Sequence, residues 1–309
     1  MRRLLIAAAA VVVLGLAAFW FMTTPETISA SALPARTPDL ANGKVMFYAG
    51  GCAACHAGDP NAPTRLGGGP PLKSVFGTFH PPNISPDAED GIGRWSEADF
   101  VTALLKGTSP DGQHYYPAFP YPSYQRMRLD DARDLFAYLK TLPPVKGRTP
   151  DQQLAFPLEW RRLVGGWKLL FLDGQPFRPD PAQSAQWNRG AYLVNGLAHC
   201  AECHSPRNAL GGIEAGKRFA GGPELDGQGW VPNITQKGLG DFSVEDIADL
   251  LETGRLPNGD SVGGSMRAVI RNTSQLAAAD REAMAVYLKS LAPVEGPSRP
   301  RPQSQQPAG

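Results

Sequence analysis

Two pentapeptides that together use all four cysteines constrain this chain more than any other feature. Each is a Cys-x-x-Cys-His sequence, the signature of c-type haem attachment. Two thiols on one turn of backbone can add to the two vinyl groups of one porphyrin, and the adjacent histidine can then ligate the iron. A redox dithiol or half of a zinc site would not need that histidine twice. The pattern therefore predicts two covalently bound haem c groups. The predicted attachment cysteines are Cys52, Cys55, Cys200 and Cys203, and the predicted iron ligands are His56 and His204.

The composition favours a mainly α chain with long connections. Its 309 residues include 34 glycines and 30 prolines, which is too many for an ideal helical bundle. No long run alternates between apolar and polar residues as a sheet would require. The formal net charge of +1 gives no electrostatic reason to expect a nucleic acid partner. We expect short helices joined by loops rich in glycine and proline.

The N-terminus is typical of a membrane-targeting segment. Arg2 and Arg3 precede an uncharged apolar stretch at residues 4–22, which is long enough to span a bilayer. Small residues at 29–32 offer a cleavage site, but we favour an uncleaved anchor with the arginines in the cytoplasm. A buried helix of a soluble domain is the alternative. The rest of the chain is then expected on the periplasmic side of the bacterial cytoplasmic membrane, where c-type haem is attached.

An internal repeat connects the two motifs. Pro-Asn-Ile-Ser at residues 82–85 corresponds to Pro-Asn-Ile-Thr at residues 232–235, and both units close with a Tyr-Leu-Lys helix end. Ser96 and Ser243 are each followed by acidic residues, so each is predicted to begin a helix. The predicted divisions are a membrane helix at 1–24, a spacer at 25–38, a first haem domain at 39–147, a linker at 148–184, a second haem domain at 185–294 and a disordered tail at 295–309.

The linker contains an amphipathic stretch at residues 163–171. We expect it to form a helix that packs across the two domains. The alternative is a hydrophobic surface for a partner subunit or for the membrane interface.

The sixth iron ligand is expected from a loop before the last helix of each unit. In the second unit Met266 lies in such a loop, and a methionine ligand would raise the reduction potential. In the first unit the corresponding position falls at residues 117–120, which contain no methionine. We predict Met127 there, and the alternatives are His80, His114 or an iron without a sixth protein ligand.

The chain resembles the dihaem and trihaem c-type cytochromes that serve as subunits of membrane-bound periplasmic dehydrogenases, such as quinoprotein alcohol dehydrogenase and gluconate dehydrogenase. The resemblance covers residues 39–293. It is carried by both Cys-x-x-Cys-His motifs, the two Pro-Asn-Ile segments, Tyr-Pro-Ala-Phe-Pro-Tyr at 116–121 and the segment from Met266 to Leu291. It implies tandem cytochrome c folds and a relay that passes electrons to quinone or a terminal oxidase. Many relatives have methionine where this chain has Phe119, and the alcohol dehydrogenase subunit has a third haem domain.

These features favour a non-catalytic electron carrier whose partners are a periplasmic dehydrogenase and an acceptor on the quinone or oxidase side. The alternative is a haem enzyme of the dihaem peroxidase or thiosulfate dehydrogenase kind, with a catalytic first haem. The lack of a cysteine outside the two motifs argues against a cysteine-ligated version of that enzyme. A haem-based sensor is a third hypothesis, but no signalling segment is attached.

Overall fold

The computed structural model describes residues 1–299, and this part of the chain is mainly helical, as predicted. The helices are α1 (Arg2–Met22), α2 (Leu40–Ala49), α3 (Cys52–His56), α4 (Glu97–Lys106), α5 (Tyr121–Tyr124), α6 (Leu129–Leu139), α7 (Arg161–Phe171), α8 (Ala185–Asn195), α9 (Cys200–Cys203), α10 (Gln236–Leu239), α11 (Val244–Thr253), α12 (Met266–Thr273) and α13 (Ala278–Ser290). Residues 300–309, most of the predicted disordered tail, lie outside the described residues.

The strands are short, which agrees with the absence of an alternating pattern in the sequence. They form two small antiparallel sheets. The first sheet has the order β1 (Leu72–Ser74), β2 (Gly77–Phe79), β3 (Gln153–Leu154), and the second pairs β4 (Gly222–Pro223) with β5 (Trp230–Val231). We call residues 39–147 the first unit and residues 185–294 the second unit.

A glycine makes the closest helix contact in each unit. Gly43 of α2 faces the backbone of Asp134 in α6, and Gly190 of α8 faces the backbone of Ala283 in α13. A Cβ atom at either glycine would overlap the carbonyl oxygen opposite. The first and last helices of each unit therefore cross with their backbones in contact. The side chains buried in the core include Met46, Phe47, Leu135 and Leu139 in the first unit, and Leu193, Val194, Met284 and Leu288 in the second.

The helix starts predicted at Ser96 and Ser243 are confirmed. Each serine hydroxyl accepts a hydrogen bond from the backbone N–H three residues later, over 3.1 and 3.0 Å. The aspartate at that later position accepts from the serine N–H, which completes a capping box. The two helices, α4 and α11, then end at Gly107 and Gly254 in the left-handed conformation. The repeat seen in the sequence is thus present in local backbone geometry.

Helix α1 has no buried residue, and within residues 1–299 it is the one helix long and apolar enough to cross a membrane. The alternative of a buried helix in a soluble domain is therefore wrong. Its function as an anchor or a cleaved signal stays a prediction.

Helix α7 contacts both units, as the sequence predicts for the linker. Lys168 donates through Nζ to the carbonyl oxygens of Lys106 and Gly107 over 2.7 and 2.8 Å, at the end of α4. Trp167 donates through Nε1 to the carbonyl of Leu210 in the second unit over 2.9 Å. The hydrogen bonds from α7 therefore join the two units.

We expect Gly190→Ala to lower the free energy of unfolding, because the added Cβ has no room beside Ala283. The loss should be about 1–3 kcal/mol, the usual cost of overpacking. Guanidinium unfolding of the haem-loaded, detergent-solubilised protein, followed by circular dichroism, measures it. Gly263→Ala is the matched control, since nothing lies within 4 Å of a Cβ at that position. Equal stability of the two variants would contradict the close helix crossing.

Candidate haem attachment sites

The first Cys-x-x-Cys-His motif forms helix α3, a little more than one turn long. Gly51 precedes it in the left-handed conformation and turns the chain out of α2. Cys52 and Cys55 lie three residues apart on this turn. Burial raises the pKa of Cys52 to about 12, so an unattached thiol stays protonated at neutral pH. Two thiols presented from one helical turn fit attachment to one porphyrin edge.

His56 follows on the same helix with one ring nitrogen already bound. Its Nδ1 donates to the carbonyl of Pro82 over 2.7 Å, and this tautomer leaves Nε2 free for iron. Asn83 holds the proline loop by donating to the carbonyls of Val145 and Gly147 over 2.6 and 3.0 Å. Burial lowers the pKa of His56, which keeps the imidazole neutral as a metal ligand must be.

The second motif has the same construction. Cys200 and Cys203 lie on α9, and His204 caps that helix. The Nδ1 of His204 donates to the carbonyl of Pro232 over 2.8 Å. Asn233 in turn donates to the carbonyl of Val294 over 2.8 Å. Burial lowers the pKa of His204 as it does for the first histidine.

A backbone hydrogen bond closes each motif from the other side. The N–H of Gly68 donates to the carbonyl of His56 over 3.0 Å, and the N–H of Gly221 donates to that of His204 over 2.9 Å. At Gly69 a Cβ would overlap the carbonyl of Cys55, so this loop lies directly on the motif. Paired cysteines on one helical turn, oriented histidines and closely packed glycine loops all fit a covalent haem in each unit.

The hydrogen-bond register of the two units identifies the counterpart of Met266. Gly107 accepts from the N–H of Tyr115 over 2.8 Å, and Gly254 accepts from that of Val262 over 2.9 Å. Continuing both segments residue by residue from these bonds aligns Phe119 with Met266. An aromatic ring therefore stands in the first unit at the position of the predicted methionine ligand of the second.

Phe119 lies in a cluster of aromatic rings. Its centroid is 5.6 Å from those of Tyr115 and Tyr124, and 6.4 Å from that of Tyr121. The Tyr121 hydroxyl is buried without a hydrogen-bond partner in the described structure. By contrast Met266 begins α12 and is partly buried against the core.

Met127, the predicted ligand of the first unit, corresponds in the structure to Leu276. Its N–H donates to the carbonyl of Tyr124 over 2.9 Å, as that of Leu276 donates to Thr273 over 3.1 Å. Met127 is 2% exposed and Leu276 is 4% exposed, so both side chains lie in the core. Because Met127 takes the place of an apolar core residue, its position argues against iron ligation by its sulfur. Ligation by Met127 stays a prediction.

The two alternative histidines of the first unit have other surroundings. The Nε2 of His114 lies 2.9 Å from the carbonyl of Thr23, just beyond α1, and its Nδ1 is buried without a partner among the described residues. His80 follows β2, where its backbone exchanges hydrogen bonds with the Gln152 side chain.

The structure also packs residues that flank the two attachment motifs against each other, which sequence reasoning missed. The Tyr124 ring packs edge-on against His199, with centroids 5.8 Å apart. The Nε2 of His199 also lies 3.3 Å from the carbonyl oxygen of Gly50, just before the first motif. Helix α12 of the second unit packs against α2 and α3 of the first. The segment that precedes the last helix of each unit thus lies against the attachment region of the other.

A buried carboxylate joins the units at this interface. Glu202, between the cysteines of the second motif, accepts from the Ser123 hydroxyl over 2.6 Å and pairs with Arg207 over 2.6 Å. Tyr192 bridges the units in a similar way: its hydroxyl donates to Asp131 and accepts from the backbone N–H of Arg128. The sequence contained one indication of this contact between the units. Glu202 is a charged residue inside the motif, and a buried charge requires partners.

Comparisons with known proteins agree with the geometry. A family model described as "Cytochrome c" matches residues 40–143. The chain is 46% identical over 298 residues to a diheme cytochrome c-type protein of Cereibacter sphaeroides, covering 96% of this chain and 100% of that one. It is 41% identical over 256 residues to a nicotinate dehydrogenase subunit of Pseudomonas putida, covering 82% and 21%. It is 34% identical over 290 residues to the cytochrome c subunit of the quinone alcohol dehydrogenase of Gluconacetobacter polyoxogenes, covering 89% and 61%. The chain spans less than two thirds of the latter two.

The double variant Cys52→Ser with Cys55→Ser is expected to carry half the haem of the wild type, because each motif has its own complete set of attachment groups. Cys200→Ser with Cys203→Ser should behave in the same way. Denaturing acid extraction followed by intact-mass measurement counts the covalent haems on each chain. Full haem content in either variant would refute attachment at that motif.

Proposed function

This chain is a member of the dihaem c-type cytochrome family with two covalently bound haem c groups, and on that premise we propose that it transfers single electrons from a periplasmic dehydrogenase to the respiratory chain. The observation that carries the proposal is the packing of residues that flank the two attachment motifs, with Tyr124 and Gly50 of the first unit against His199 of the second. Bound haem supplies reversible one-electron oxidation and reduction. Attachment motifs whose flanking residues meet across one interface support a continuous path through the protein.

We propose that each unit is a cytochrome c domain, with boundaries at 39–147 and 185–294. The family match at residues 40–143 supports the first boundary. The repeated histidine–proline hydrogen bonds and capping boxes support the same fold for the second. Residues 148–184 are then the linker, and residues 1–24 and 25–38 are the membrane anchor and its spacer. The domains would lie on the periplasmic side.

The proposed ligands of the second iron are His204 and Met266, a pair that gives a high reduction potential. For the first iron they are His56 and Met127; methionine chemistry favours Met127, and its correspondence to the core residue Leu276 counts against it. Two matched substitutions test these assignments, because leucine fills the volume of methionine without its sulfur.

The partners are proposed from the named relatives. One relative is a subunit of nicotinate dehydrogenase and another is the cytochrome subunit of a quinone alcohol dehydrogenase. A dehydrogenase donor and an acceptor on the quinone or oxidase side are therefore the proposed partners of this chain. Its own residues would attach and orient the haems, and no step of substrate oxidation is assigned to them.

We expect Met266→Leu to lower the potential of one haem on the order of 100 mV, within the roughly 0.8 V over which axial ligands set haem potentials. The variant should also bind carbon monoxide at that haem. Met127→Leu should do the same at the other haem if its sulfur is a ligand. Optical redox titration and carbon monoxide difference spectra measure both effects.

Each outcome of this test has a definite meaning. A Met127→Leu protein with unchanged spectra and potentials would make Met127 a core residue, as its structural counterpart Leu276 is. If the wild type readily bound carbon monoxide at one haem, the simple carrier would be refuted. Because Phe119 stands at the ligand position, that result would indicate an open iron in the first unit.

A further inference from the structure

Helix α7 turns an apolar side away from both units. Its inner side, with Val164, Gly165 and Lys168, lies against the protein. The exposed apolar residues on and just before the helix are 38% to 73% exposed. They are Phe156, Trp160, Leu163, Leu169 and Leu170, which we call the α7 apolar face. No acidic residue occurs in α7.

The end of α1 lies against α7 at the border between its inner side and its apolar face. A Cβ at Gly166 would be 3.0 Å from the Phe19 ring, and one at Gly165, on the inner side, would meet Thr23. The Arg162 guanidinium lies 4.1 Å from the centre of the Trp20 ring and donates to the Trp20 carbonyl. Leucines 163 and 170 are one helical turn before and after Gly166, on the same face. The apolar face therefore adjoins the point at which α1 meets the rest of the protein.

This placement fixes the level of the apolar face relative to a bilayer. A 21-residue helix is about 31 Å long, close to the roughly 30 Å of a hydrocarbon core. If the arginines at its start stay in the cytoplasm, residues 19–22 must lie at the opposite interface. Side chains packed around those residues then lie at the level of the lipid headgroups.

We propose that the α7 apolar face inserts into the periplasmic interface of the membrane that α1 spans, so that the lipid surface covers it. This proposal depends on the proposed function only through the assignment of α1 as a membrane anchor. The residue types fit, because tryptophan favours the headgroup region and leucine favours the acyl boundary. Arg162, which lies on the Trp20 ring at the end of α1, suits anionic headgroups.

The orientation of both units follows from this contact. The inner side of α7 is hydrogen-bonded to the end of α4 in the first unit and to residue 210 in the second. A helix held in the interface plane would therefore hold both units at a fixed tilt.

Lipid photolabelling of the full, haem-loaded chain tests the proposal. The chain is reconstituted in vesicles of phosphatidylcholine and phosphatidylglycerol that include a phospholipid with a diazirine near its glycerol. After illumination, mass spectrometry maps the labelled residues. Label is expected on α1 and on residues 156–171, but not on Leu40 or Val75, which are apolar and comparably exposed elsewhere in the first unit.

A pair of double variants distinguishes the contact from general exposure. Leu169→Glu with Leu170→Glu should reduce labelling of residues 156–171 at least tenfold and leave the label on α1 and the haem content unchanged. Leu40→Glu with Val75→Glu is the matched control and should change nothing. If only α1 is labelled in the wild type, this inference is overturned. A protein partner is then the expected occupant of the α7 apolar face. Absence of label on α1 overturns the anchor and the inference together, whereas the carbon monoxide test of electron transfer is independent of both.

Discussion

Both haem attachment sites depend on the hydrogen bond from the histidine of each Cys-x-x-Cys-His motif to a proline carbonyl. It orients His56 on the carbonyl of Pro82 and His204 on that of Pro232. The next residue in each loop is an asparagine that binds the carbonyl at the end of its own unit. Each bond contributes only about 0.5–1.5 kcal/mol. Together they connect the start of each unit to its end through the site, so that folding of the unit orients the ligand.

The two units share this frame but differ where the sixth ligand is expected. The backbone register is the same from the end of α4 or α11 to Tyr115 or Val262, but the paths then differ, because Met266 begins α12 whereas Phe119 lies in a turn before the shorter α5. Three tyrosines surround Phe119, and one of them, Tyr124, contacts the second unit through His199. The asymmetry of the first unit is thus located at the interface that would carry electrons.

Local features of the fold could be predicted from the sequence, but contacts between distant segments could not. The capping serines, the terminal glycines and the attachment motifs follow from rules that act within a few residues. The bridging position of α7 is predictable because its periodicity requires a partner on one side. The pairing of Ser123 with Glu202 depends on how the units dock, for which periodicity gives no signal. Residue type favours Met127 as a ligand, although the shared Tyr-Leu-Lys helix ends already align it with Leu276 in the sequence, and the hydrogen-bond register gives the same correspondence.

The backbone conformation of the residue before the second motif makes the second unit depend on the first. Gly51 adopts the left-handed conformation before Cys52, and His199 adopts it before Cys200 with φ of 40°. For a residue with a side chain that conformation costs about 1–2 kcal/mol. The ring of His199 is held across the interface, against Tyr124 and near the carbonyl of Gly50. Contacts from the first unit therefore help to stabilise the backbone conformation of the second unit at His199. The two units are not structurally independent.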